Sequence, residues 1–209
     1  MVAMGPAQPV EAVVFDIGRV LIEWDLRLLL RKLYADPAEA DWVFAHVVSE
    51  SWHAQHDAGR DLAEMVAERI AEFPDHAHAI QAYATRFGES IPGTVPGTPA
   101  LVERLAARGT PLFAITNFAH AFWVDYRPTQ PLFDRFRDIV VSGTEKLAKP
   151  DPAIYRLAER RFGYPARAML FVDDNRANIA AAHGLGWRVH HFTGAEALEA
   201  DLTARGLLG

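Results

Sequence analysis

An α/β fold, built on a parallel sheet with an all-helical domain inserted after the first strand, follows from three features of the sequence. Short apolar runs alternate with amphipathic stretches from residue 98 to 205, the pattern of a parallel sheet with helices on both faces. The first of the apolar runs is continuous, as in strands buried on both sides. Between that run and the second, residues 25–90 carry only helical periodicity, and one helix would suffice to connect two parallel strands. The surplus is an insertion. The core domain is therefore assigned to residues 10–24 and 91–209, and the helical domain to residues 25–90.

Taken in order, residues 10–17 form the first strand, and Val13-Val14-Phe15-Asp16-Ile17-Gly18 ends on one carboxylate and a glycine. Asp16 stands at the carboxyl end of a core strand, where it is either a structural cap or the reactive group. Residues 19–24 are expected to form a short extended flap over that end. Asp25 suits the N-cap of a helix over residues 26–33, and Pro37 opens a second helix. Asp61-Leu62-Ala63-Glu64 has capping-box spacing for a third, and a fourth spans residues 75–87. Residues 91–97, dense in proline and glycine, return the chain to the core. A helix over 98–108 then ends at Gly109, and residues 111–115 form the second strand, running into Thr116-Asn117. Residues 139–141 form the third strand, 152–162 a helix, and 169–172 the fourth strand, ending at Asp173-Asp174-Asn175. A further helix carries Ile179 to His183, residues 187–192 make the fifth strand, and residues 195–205 the last helix.

With 209 residues, half of them hydrophobic, the chain can bury one good core plus a small inserted domain. Its net charge of −6, with lysines and arginines scattered among acids, offers no field for nucleic acid. The absence of cysteine excludes disulfides, thiolate metal sites and a cysteine nucleophile. Residues 1–9 lack the regions of a signal peptide, and no apolar run reaches the roughly 20 residues of a membrane span. A soluble cytoplasmic protein without a membrane partner is expected; oligomeric state is not legible.

Four polar groups follow strand ends: Asp16, Thr116-Asn117, Lys149 and Asp173-Asp174. In a parallel sheet all carboxyl ends share one edge, so these residues converge. Three carboxylates in one crevice repel strongly unless protonated or matched by a cation, and oxygen-liking Mg²⁺ suits them. A phosphate could then approach Asp16, whose carboxylate would attack phosphorus while Thr116, Asn117 and Lys149 hold the other phosphoryl oxygens. Water would hydrolyse the acyl phosphate.

Phe15-Asp16-Ile17-Gly18-Arg19-Val20-Leu21, Phe113-Ala114-Ile115-Thr116-Asn117, Lys149-Pro150-Asp151-Pro152-Ala153-Ile154-Tyr155 and Phe171-Val172-Asp173-Asp174-Asn175 occur in this order. The ordered set resembles the haloacid dehalogenase superfamily of hydrolases, in its branch with a helical cap after the first strand. That resemblance implies a Rossmann-like core and Asp16 as nucleophile. It also implies Thr116 and Asn117 as phosphate-binding groups and Lys149 as the cation bridging nucleophile and phosphate. Asp16, Asp173, Asp174 and the backbone carbonyl of Gly18 would be at Mg²⁺. One position departs: phosphatases of this family usually carry a second aspartate, the general acid and base, where Gly18 stands. Losing such a group removes about 10²- to 10⁴-fold in rate. Some sugar-phosphate phosphatases of the branch resemble this chain in having Asp-x-Gly.

Replacement groups within the chain are His53, His56 and Asp57, with His53 and His56 as substrate contacts; the alternative is a helix end with exposed histidines. His120 follows the second motif and is either a substrate contact or a helix-start residue. Asn178, one turn beyond Asp174, either orients that acid or stabilises the helix start. Most tryptophans belong to the core by residue type, with Trp24 and Trp52 as candidates for an apolar entrance. The function expected is Mg²⁺-dependent hydrolysis of small phosphomonoesters, sugar phosphates among them. A 2-haloacid dehalogenase reading, in which Asp16 attacks carbon, leaves Asp173-Asp174 without purpose and finds Arg19 out of register for halide. A non-catalytic binding protein of the same fold is favoured only by Gly18.

Overall fold

The first strand, β1 (Ala12–Phe15), has the sequence AVVF with all four residues buried. Val13 and Phe15 belong to one apolar cluster and Ala12 and Val14 to another, so the strand is covered on both faces, as its unbroken apolar run requires. The computed structural model describes residues 9–209; residues 1–8, most of the stretch read above for a signal sequence, lie outside the described residues.

Five helices follow: α1 (Leu26–Leu30), α2 (Pro37–His46), α3 (Glu50–Asp57), α4 (Leu62–Glu72) and α5 (Ala77–Arg86). Their starts are written in the sequence. Asp25, Asp36, Ser49 and Asp61 each accept a hydrogen bond from a first-turn N–H of α1, α2, α3 and α4 in turn. The chain re-enters through α6 (Thr98–Ala107) and β2 (Leu112–Thr116), then α7 (His120–Tyr126), β3 (Asp138–Val141), α8 (Ser142–Glu145) and α9 (Pro152–Phe162). It finishes with β4 (Met169–Asp173), α10 (Arg176–Gly184), β5 (Arg188–His191) and α11 (Ala195–Ala204).

All strand pairs are parallel, in the order β3-β2-β1-β4-β5. The chain leaves β1 towards β2 on one side and reaches β4 on the other. The carboxyl end of β1 is thus the topological switch point, where open α/β sheets leave a crevice. Phe15 lies level with Ala114 and Val172, which puts Asp16 beside the ends of both neighbouring strands.

One expectation is corrected. Residues 19–24 do not form an extended flap: the Ile17 carbonyl accepts from the N–H groups of Val20, Leu21 and Ile22, curling the segment into a tight turn with Arg19 at φ 60°. Val20, Leu21 and Ile22 are buried, so their apolar character reflects core packing, with strand pairing limited to isolated bridges of Ile22 to Gly18 and Thr94. Ser142-Gly143, next after the third strand, opens α8. A Cβ at Gly143 would lie 2.4 Å from the His120 nitrogen, so glycine is what lets α8 approach the start of α7.

Candidate active site

Asp16 is buried at the end of β1, with its N–H donating to the Val172 carbonyl at 2.8 Å. Lys149 Nζ lies 2.8 Å from Asp16 Oδ1 and 2.8 Å from Asp173 Oδ2, with the lysine side chain 1% exposed. Oxygens of Asp16, Asp173 and Asp174 all lie within 4.8 Å of one another. One ammonium therefore contacts two of three acids. Burial raises the Asp16 pKa, Asp173 and Asp174 raise it further, and Lys149 opposes them. Burial would lower Lys149, but Asp16 and Asp173 outweigh it and hold the ammonium charged. Asp174 is raised by burial and by Asp173, with Arg19 and Lys149 offering partial relief.

The acids differ in how far the protein has already satisfied them. Asp173, fully buried, accepts from Lys149 Nζ, from the Asn175 N–H at 2.7 Å, and from Asn178 Nδ2 at 3.1 and 3.0 Å on its two oxygens. A carboxylate has about four lone-pair sites, so little capacity remains. Asp174 instead lines the cavity above Asp16, and His191 Nε2 is 3.0 Å from its backbone oxygen. Asn178 thus orients Asp173 and not Asp174: it is five residues from the first and lies on the inner face of α10.

Asn117 lines the cavity, yet both ends of its amide are engaged by the Lys149 backbone: Nδ2 donates to Lys149 O at 2.9 Å and Oδ1 accepts from Lys149 N at 2.8 Å. The side chain expected to bind phosphate is a clamp for the lysine. Thr116 ends β2 buried, with no partner for its hydroxyl, and does not line the cavity.

The cavity, of about 220 Å³, is lined on the sheet side by Asp16, Gly18, Asn117, Lys149 and Asp174. Its opposite wall is Trp24 with Glu50, His53, Ala54 and Asp57 from α3. Sequence reasoning reached Trp24, His53 and Asp57 but missed Glu50. Glu50 pairs with Arg19, whose guanidinium sits 4.7 Å over the Trp24 ring. Arg19 itself, read only as out of register for halide, lines this wall.

His53 faces the cavity, but His56 does not; it lines a separate surface crevice with His120 and Gly143. Although only three residues apart on α3, the two line different cavities because their rings pack on different aromatic neighbours. Nor are they the exposed pair of a frayed helix end, because both are 5% exposed. His53 stacks on Phe87 and His56 meets Phe122 edge-on. Trp52 is buried beside Tyr83, away from the entrance, whereas Trp42 departs from the core expectation at 45% exposure. His120 opens α7 and bonds Thr144 at 2.9 Å.

A doubly covered parallel sheet with acids and a lysine meeting at its switch point defines a polar ligand site on a Rossmann-like core. Residues 10–186 match the family description "haloacid dehalogenase-like hydrolase", and the chain belongs to that family. The chain is 32% identical over 133 residues to a phosphoglycolate phosphatase of Yersinia pseudotuberculosis, covering 64% of this chain and 55% of that one. It therefore matches only about half the length of that relative. Among solved structures, a HAD-like hydrolase of Porphyromonas gingivalis superposes with a TM-score of 0.72 at 18% identity, covering 94% of this chain and 98% of the other. A HAD family enzyme of Bacteroides thetaiotaomicron, in complex with magnesium and inorganic phosphate, does so at 0.65 and 20% identity, covering 88% and 95%. No helix among the described residues is long and apolar enough to cross a membrane.

Proposed function

We propose that this chain hydrolyses small phosphomonoesters, sugar phosphates among them, in a Mg²⁺-dependent reaction through an aspartyl phosphate on Asp16. The observation that carries this reading is the mismatch of charge at the switch point: three carboxylates within 4.8 Å and one ammonium touching two of them. An all-oxygen set with surplus negative charge suits a hard divalent cation. Asp16, Asp174 and the Gly18 carbonyl would hold it, and Asp173, filled by protein donors, would act by holding Lys149. Bound there, Mg²⁺ supplies charge neutralisation for the acids and for the phosphoryl oxygens.

The chain's own groups do the rest. Asp16 attacks phosphorus; Lys149, clamped by Asn117, holds a phosphoryl oxygen; and the unpartnered Thr116 hydroxyl is a donor still to be satisfied. Residues 25–90 act as a cap whose α3 closes the far side of the cavity and sets specificity. Charged and hydroxyl-binding groups on that wall, with Trp24 as a flat apolar face, suit a small polar ester such as a sugar phosphate. The relatedness to a phosphoglycolate phosphatase supports the reaction class. Hydrolysis of 4-nitrophenyl phosphate with Mg²⁺, abolished by EDTA, is the expected result; halide release from 2-chloropropionate without metal would replace this reading by the dehalogenase one.

A further inference from the structure

The site has a nucleophile but no second carboxylic acid two positions after it, because that position is Gly18. An alkoxide leaving group needs a proton donor, and an attacking water needs a proton acceptor. The wall facing Asp16 offers a candidate. Asp57 is 7% exposed at the end of α3 and lines the cavity together with Asp16, Gly18 and Asn117. His53 Nε2 lies 3.1 Å from Asp57 Oδ2, and His53 Nδ1 lies 2.7 Å from the Tyr83 hydroxyl, so both ring nitrogens are engaged. Asp57 Oδ1 is buried with no hydrogen-bond partner. A carboxylate of the cavity lining with one oxygen tethered and the other unpartnered is arranged for exchange with a ligand. Its backbone is anchored to the core as well: Ser142 Oγ, which accepts from the Phe118 N–H, donates to the Asp57 carbonyl at 2.5 Å.

We infer that Asp57 is the general acid and base of this site, supplied from the inserted helices in place of the carboxylate missing at Gly18. The inference rests on the phosphatase reading. In the first step Asp16 bonds to phosphorus, the bond to the ester oxygen breaks, and that oxygen takes the proton from Asp57 Oδ1. In the second, water attacks phosphorus and gives its proton back to Asp57, and the bond to Asp16 breaks, releasing phosphate and restoring both carboxyl groups.

The test compares phenyl phosphate with 4-nitrophenyl phosphate, whose leaving group departs as a stable anion, in wild type and Asp57→Asn with Mg²⁺. Loss of the acid should lower kcat/KM for phenyl phosphate by about 10²-fold or more, and for the nitrophenyl ester by at least about tenfold less. Equal loss on both esters, or none, overturns the inference while leaving the phosphatase reading intact. No turnover of either ester by wild type overturns that reading itself. Gly18→Asp is the second variant. A Cβ at Gly18 meets nothing within 4 Å, so a side chain can start there without a clash. Combined with Asp57→Asn it should recover about tenfold or more of the lost phenyl phosphate kcat/KM, and no recovery would count against proton transfer as the missing function.

Discussion

Lys149 Nζ sits 2.8 Å from Asp16 Oδ1 with the lysine side chain 1% exposed, so the proposed nucleophile and its cation form a buried pair. The same ammonium is 2.8 Å from Asp173, so one buried cation is shared by these two carboxylates. Lys149→Met keeps volume and removes charge. Breaking a buried pair by deleting one partner costs about 3–5 kcal/mol, because the remaining charge is left uncompensated. In EDTA at neutral pH the variant should lose that much by urea unfolding. The pH response gives the sign. Asp16 has a raised folded pKa, so the folded state binds its proton more tightly than the unfolded chain does. The variant should therefore regain stability as pH falls from 8 towards 5; a flat response would mean that the acids are not its source.

Asp16→Asn should separate catalysis from stability. Burial and two neighbouring acids oppose its ionisation, so the charged carboxylate is a strain on the folded, metal-free protein. Replacing it should raise metal-free stability by about 1 kcal/mol, as often occurs when an active-site charge is removed. Turnover of 4-nitrophenyl phosphate should fall by on the order of 10³-fold or more. A freshly purified variant with near-normal turnover would eliminate the aspartyl phosphate.

Asn178→Ala removes the amide that donates to both oxygens of Asp173. Asp173 keeps Lys149 and the Asn175 N–H, so the fold survives at a loss of about 1–3 kcal/mol. Because Asp173 fixes Lys149 and adjoins Asp174, apparent Mg²⁺ affinity should weaken by about 10- to 100-fold, the usual effect of losing an outer hydrogen bond at a metal site. Magnesium titration of activity is the measurement; an unchanged affinity would detach Asn178 from the metal.

The strand ends were the most legible part of this chain, because a parallel sheet brings its carboxyl ends to one edge whatever the loops do. That rule alone brought Asp16, Lys149 and Asp173-Asp174 together across the chain. Pro152–Phe162 was read to its observed limits, since proline, aspartate and glycine punctuate it on both sides. Periodicity could not show which way α3 turns. Its ESWHAQHD has little apolar contrast, and only packing against Tyr83, Phe87 and Phe122 from other segments sends His53 to the cavity and His56 away from it. Asn117 was legible only in part: it lines the cavity as a strand-end residue should, but its engagement by the Lys149 backbone depends on a contact 32 residues away. The residues 19–24 turn was missed because three buried aliphatics look alike in a strand and in a loop pressed into a core.

His56 provides a pH prediction away from the acids. It is buried against the edge of Phe122, with its Nδ1 3.5 Å from the Tyr83 hydroxyl. Burial lowers its pKa below the ordinary 6.5; Asp57 pulls the other way, and the charge of His53 adds to the depression. Above pH 6.5 the ring is neutral in both folded and unfolded chains, and its contribution to stability is complete. As pH falls through 6.5 the unfolded chain takes up the proton first, so unfolding becomes easier until the folded ring titrates as well. Wild type should thus lose stability between pH 7 and 5 in a step that His56→Phe removes, measured as urea midpoints across that range. Phenylalanine suits the aromatic surroundings and carries no titrating group, so the variant's curve should be flatter even if its absolute stability changes. An identical slope in both proteins would place the acid-sensitive group elsewhere.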